Sequence, residues 1–258
     1  MNIDELIERT QWDLFWVPPD VTIVDRPELL LLAYPHSARG LNAVHRLRAP
    51  DAVLPGLIDE IAAHHSGRLS RVQLYPSNIR PAQDRVLSAA GYTRSHEHFA
   101  YTLHTDAPRP APPADLVAHP VDSMARLTDA IAVRITAFGL DEAPPSGDLR
   151  RRYLADCTGP HTRVHRFVVY DRHTHTPLSS GGMTVFPALS FGFLWAGGTV
   201  ATGRKRGAYT ALVTARMQRA AALGIEQVGL YARVGTSAPI LARQGFTRHG
   251  PMVHWIRS

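Results

Sequence analysis

The chain has 258 residues, 45% hydrophobic and 19% charged, enough apolar material for one large or two modest cores and too much for a disordered chain. A single cysteine, Cys157, excludes an internal disulfide framework and a four-cysteine zinc site. Basic residues outnumber acidic ones, 28 to 22, and all but Lys205 are arginine. Where that positive charge is concentrated therefore says more about partners than its sum.

The longest apolar run, Leu29 to Ala33, is far short of the roughly 20 residues that a membrane-spanning helix needs. The opening segment carries Asp4, Glu5 and Glu8 and has neither the basic start nor the apolar stretch of a signal peptide. The expectation is a soluble, cytoplasmic protein with no membrane partner.

Residues 1–104 predict strands at 21–25, 29–34, 43–47, 69–75 and 92–103, with helices at 51–64 and 82–89. Residues 105–113, TDAPRPAPP, hold four prolines and read as a semi-rigid linker. Residues 114–258 then predict a strand at 114–118 and helices at 121–138 and 148–157. Strands follow at 164–170, 178–186 and 191–200, then a long helix over 207–223. A strand at 226–231, a helix at 236–244 and a strand at 246–255 complete the chain. Two short stretches repeat at nearly the same offset: Val72-Gln-Leu-Tyr75 parallels Val228-Gly-Leu-Tyr231, and Gly91-Tyr-Thr-Arg94 parallels Gly245-Phe-Thr-Arg248. The chain reads as two copies of one mixed-sheet α/β fold, the second complete and the first truncated.

Between Ala201 and Arg219 there are five cations and no carboxylate, with Arg204, Lys205 and Arg206 immediately before Gly207 and the long helix. A tight turn from a strand into a helix aims unpaired N–H groups at one point, where the helix dipole adds positive potential and arginines can pair with phosphate oxygens. Gly207 admits the close approach that a side chain would block. The segment is neither a Walker A loop nor a dinucleotide-binding glycine motif.

Arg204-Lys-Arg-Gly207-Ala208-Tyr209, continued by Ala211-Leu-Val213, resembles the acyl-CoA loop of the GNAT N-acyltransferase superfamily, [QR]xxGx[GA]. Ser237 to Phe246 resembles its closing helix and Gly-Phe strand start. The resemblance covers residues 114–257 and implies acetyl-CoA, or another acyl-CoA, as the acyl donor. Gly198, Thr199 and Val200 would pair with the pantetheine arm, and Arg204 to Tyr209 would cradle the diphosphate. Tyr209 stands where the pattern has Gly or Ala. Leu241 stands where many members carry the tyrosine that protonates the leaving thiolate.

Candidates for catalytic proton transfer are therefore Tyr231, Ser237 and Glu142, the last beside Asp141 in the loop between the first two helices of the second copy. Each has a plainer structural role: a core aromatic, a helix cap and a solvated loop acid. In the first copy the loop position reads Arg48-Ala-Pro50-Asp51, where Pro50 removes a donor and Asp51 repels phosphate, so that lobe should not bind the carrier. The fourteen histidines form no zinc-ligand spacing, so no metal is expected. The function implied is direct acyl transfer to a small-molecule or peptide amine. A non-catalytic acyl-CoA-binding or regulatory module is the alternative, and nucleic acid is not an expected partner.

Overall fold

The computed structural model describes residues 1–35, 42–141 and 143–258. Its contacts divide into two units, one of residues 1–101, 231–240 and 248–258, the other of residues 102–230 and 241–247. A linear division at a 105–113 linker therefore differs from the observed one, because the last strand of the chain belongs to the first unit.

The first unit opens with α1 (Ile3–Thr10), which the sequence reading missed. The Asn2 side chain caps it by accepting from the Glu5 N–H at 2.8 Å, and only Ile7, Glu8 and Thr10 are buried. So short and largely polar a helix carries little periodic signal. Next come β1 (Thr22–Arg26), β2 (Leu29–Ala33), β3 (Ala43–Leu47), α2 (Leu54–His65), β4 (Ser70–Leu74), α3 (Pro81–Ala89) and β5 (Thr93–His104). β1 and β2 form a hairpin closed at Arg26 and Leu29, β2 pairs antiparallel with β3, and β3 runs parallel to β4. Every residue of β2 is buried, which is why it reads as a continuous apolar run. The core beneath α2 and α3 joins Leu29, Val44, Ile61, Val72, Leu87 and Trp255.

The second unit contains β6 (Leu116–Pro120), α4 (Met124–Phe138), α5 (Gly147–Thr158), β7 (Val164–Asp171), β8 (Pro177–Phe186), β9 (Phe191–Thr199) and α6 (Ala208–Ala222). β10 (Gln227–Arg233), α7 (Ala238–Arg243) and β11 (Thr247–Arg257) follow. β6, β7, β8 and β9 are antiparallel neighbours, and β9 runs parallel to β10, so the sheet is mixed. α6 covers one face through Ala208, Ala211 and Leu212 against Phe167, Val169 and Leu178. α4 covers the other, with Leu127, Ala130 and Ile131 against Val168. β11 pairs antiparallel with β4, bringing Trp255 opposite Val72.

The internal repeat is structural. β4-α3-β5 and β10-α7-β11 have the same order, and both helices end alike. Gly91 and Gly245 sit at φ +80° and +87°, and the Tyr92 and Phe246 N–H groups donate to the Leu87 and Leu241 carbonyls at 3.0 and 3.1 Å. The first copy has only a tight turn where the second has α4 and α5.

Burial of neutral imidazoles gives the molecule an acid-sensitive core. His45, His65 and His165 are buried, and loss of hydration pushes each down to about 4. In the unfolded chain they titrate near 6.5, so their contribution is complete above that pH and is lost as pH falls toward 4. Urea unfolding at pH 7 and pH 5 should show stability falling by up to about 2 kcal/mol for each of the three. His45→Gln should flatten that dependence.

Candidate functional site

The segment from β9 into α6 gathers what a phosphate-bearing ligand requires, all within the second unit. β9 pairs with β10 over three rungs only, Phe191 to Phe193. Beyond them β9 stays bonded to β8, but its register shifts between Ser180 and Gly182, and Ala196 takes a left-handed φ of +48°. One extra residue on β9 makes a bulge, which bends the strand and ends the parallel ladder. The strand end is fixed by the Ser179 hydroxyl, which donates to the Gly198 carbonyl at 2.8 Å, and by the Val200 N–H to Leu178. Gly198 lies under α4: a Cβ there would approach Ala137 and Phe138 to about 3 Å, at 2.9 and 3.0 Å.

After Val200 one turn of 3-10 helix, Ala201–Gly203, leads to Arg204. Lys205 and Gly207 then adopt φ of +60° and +81°, the left-handed geometry that turns the chain into α6. Gly207 is the N-cap and provides no side-chain acceptor, so the opening amides of a fifteen-residue helix have no capping group. Pro113 lies against the turn: a Cβ on Gly207 would come within 2.6 Å of its ring.

The three cations differ in what they touch. Arg206 bonds Asp171 at 2.6 Å and Asp115 at 3.1 Å, clamping the turn to the ends of β7 and β6. Asp171 is held well below the usual carboxylate range, first by that guanidinium and then by the N–H groups of Thr174 and His173, with its modest burial opposing. The clamp is therefore intact throughout the neutral range. Arg204 and Lys205 are exposed, and Arg204 makes only a long contact to the Thr199 carbonyl at 3.4 Å. Tyr209 turns its ring back under β9, against the Gly197 position and over Arg216, leaving the mouth of the turn clear. Arg216 is fully buried, donates to the Leu212 and Gly182 carbonyls and is hydrogen-bonded to the Tyr209 side chain.

Tyr231 and Ser237 belong to the first unit. The Tyr231 phenol is pushed well above 10 by burial and then by Tyr75, Glu8 and Asp4, and its ring lies 5.7 Å from that of Tyr75. The Ser237 carbonyl accepts the Ile240 N–H at the start of α7. Glu142 lies outside the described residues. Leu241 is fully buried. Cys157 is half-buried, and burial raises its thiol above the ordinary value. Among the described residues no group of three His, Cys, Asp or Glu could hold a metal ion, and no helix is long and apolar enough to cross a membrane.

In the first unit Arg48, at the matching loop position, and Arg80, before α3, are both ion-paired. Arg48 pairs with buried Glu8 at 2.8 Å and stacks on Trp12, while Arg80 pairs with Asp51 at 2.9 Å. Several features of this segment escaped the sequence reading: the bulge at Ala196, the Arg206 clamp and buried Arg216. The glycine doublets 181–182 and 197–198 were the available signal.

No protein-family model matches the sequence, and no curated protein matches it. Solved structures do. A GCN5-related N-acetyltransferase from Kribbella flavida matches 99% of this chain and 96% of its own, with a TM-score of 0.76 at 18% identity. A GCN5-related N-acetyltransferase from Sphaerobacter thermophilus matches 99% and 91%, with a TM-score of 0.62 at 17% identity. A tandem GNAT protein from the clavulanic acid biosynthesis pathway, determined without AcCoA, matches 97% and 87%, with a TM-score of 0.61 at 16% identity. The chain therefore shares its fold with these acetyltransferases and with that tandem GNAT protein.

Gly207→Ala should destabilise the second unit by about 1–3 kcal/mol, because positive φ and the Pro113 ring both oppose a Cβ. Adding Pro113→Ala should recover only the part due to overlap, measured as a double-mutant cycle in urea unfolding.

Proposed function

We propose that this protein is an acyl-CoA-dependent N-acyltransferase whose second unit binds the donor, acetyl-CoA being the simplest candidate. The observation that carries the reading is the uncapped, left-handed entry into α6, flanked by two exposed cations and following a β9 edge that β10 leaves after three rungs. The residues present fit the group. Opening amides of α6 with Arg204 and Lys205 suit a diphosphate, and the edge around Gly198, Thr199 and Val200 offers backbone partners to an amide-bearing arm. Arg206, committed to Asp171 and Asp115, acts by holding the turn in shape. When bound, the carrier supplies an acyl thioester.

The chain's own contribution is to orient that thioester and to admit a neutral amine for direct attack, with no covalent enzyme intermediate. Proximity and backbone dipoles at the bulge supply the rate. A peptide or small-molecule amine is the acceptor. The burial of Leu241, where many superfamily members have a proton-donating tyrosine, favours a second reading in which the unit binds acyl-CoA without turning it over.

Calorimetric titration with acetyl-CoA should give one site per chain, weakened at least tenfold by Arg204→Gln with Lys205→Gln and abolished by Gly207→Trp. No binding, or undiminished binding in the variants, contradicts the reading. Thiol release over a panel of amines separates transferase from binder.

A further inference from the structure

We propose that Arg166 is an anchor for a carboxylate on the acyl acceptor, so that the amine accepted belongs to an amino-acid-like molecule. The inference rests on the transferase reading for the amine, but the carboxylate site stands on its own geometry.

Arg166 on β7 pairs across the sheet with Gly182 on β8, which pairs in turn with Trp195 on β9. The middle residue of this row has no side chain, and the Trp195 ring occupies the space: a Cβ on Gly182 would fall 2.2 Å from it. The indole N–H is tied to the Thr184 hydroxyl at 3.0 Å, which fixes the ring. The Arg166 guanidinium carbon lies 4.6 Å from the Trp195 ring centre and 5.0 Å from that of Tyr153 on α5. The cation thus packs against two aromatic rings, on the sheet face where Val168 meets α4.

Stacking occupies the two faces of a guanidinium and leaves its N–H edge for planar recognition. Among the described residues no carboxylate takes that edge. The Cys157 thiol is its side-chain hydrogen-bond partner, and Nε is buried with none. Other arginines of the second unit behave otherwise: Arg126 pairs with Asp122 at 2.7 Å, and Arg151 pairs with Asp148. A partly buried cation held against two rings, with no carboxylate partner among the described residues, is arranged to receive an anion from solution.

Its position selects the ligand. Trp195 directly precedes the bulge at Ala196, and the next row on the same face ends at Gly198. Rows on one face are roughly 7 Å apart. A carboxylate bound at Arg166 therefore sits a few bonds from the strand end where the thioester is expected, which suits an acceptor with amine and carboxylate close together. A carboxylate carried on the acyl group itself shares this chemistry, and the experiment separates the two sources.

Saturation-transfer NMR would compare phenylalanine with phenylalaninamide, and γ-aminobutyrate with its amide, on the full-length protein. The acids should bind at least tenfold more tightly than the amides. Arg166→Gln should remove that preference and Arg166→Lys retain part of it, with acetyl-CoA affinity unchanged in both. Equal binding of acids and amides to the wild type overturns the proposal whatever the variants do. So does a preference that survives Arg166→Gln. If Arg166→Gln weakens succinyl-CoA relative to acetyl-CoA but leaves the free acids unaffected, the carboxylate belongs to the acyl group and the acceptor assignment falls. Failure of the wild type to bind acetyl-CoA would instead defeat the transferase reading while leaving the carboxylate site to stand or fall on the acids.

Discussion

The ion pairs from Arg206 to Asp171 and Asp115 are the constraint on which the candidate site depends. A turn rich in positive charge repels itself, and in isolation three consecutive cations would favour an extended chain. Joining the last of the three to two carboxylates at the strand ends removes part of that repulsion and fixes the direction in which α6 begins. Gly207 completes the device, because its left-handed backbone brings the opening amides of α6 into the turn. All three cations are exposed, and the one nearest the helix is held by two carboxylates.

A second constraint lies in the sheet. Gly181, Gly182, Gly197 and Gly198 are each closely overlain by Arg216, Trp195, Tyr209 or Phe138. Removing four side chains from two adjacent strands would ordinarily weaken a sheet. Here the space is filled by large groups from α4, α6 and β9 itself. On one face they bury Arg216 beneath the bulge. On the other they lay Trp195 flat beside Arg166. The same economy of side chains that permits the bulge therefore creates the aromatic stack.

Much of this was legible in the sequence because the long elements have clear periodicity. α4 begins at capping Ser123 and stops at Gly139, whose φ is +60°, and α6 ends before Gly224 at +71°. The repeat was legible because Gly91 and Gly245 are needed for the same left-handed helix stop. What stayed hidden depends on partners distant in the chain. Nothing near Arg206 announces Asp115 or Asp171, so all three cations of the turn looked alike. Nothing in the sequence near Tyr209 tells that its ring lies against Gly197. Arg166 sits in an ordinary strand sequence, and only cross-strand register reveals that Gly182 leaves room for its stack with Trp195.

The central claim is that the entry to α6 holds a thioester carrier by its diphosphate. A crystal structure of the protein grown with acetyl-CoA tests it most directly. The account predicts diphosphate density at the opening amides of α6, beside Arg204 and Lys205, with the pantetheine arm running along β9 past Gly198. Carrier density seated against Arg48 and Arg80 in the first unit, with the turn before α6 empty, would contradict it.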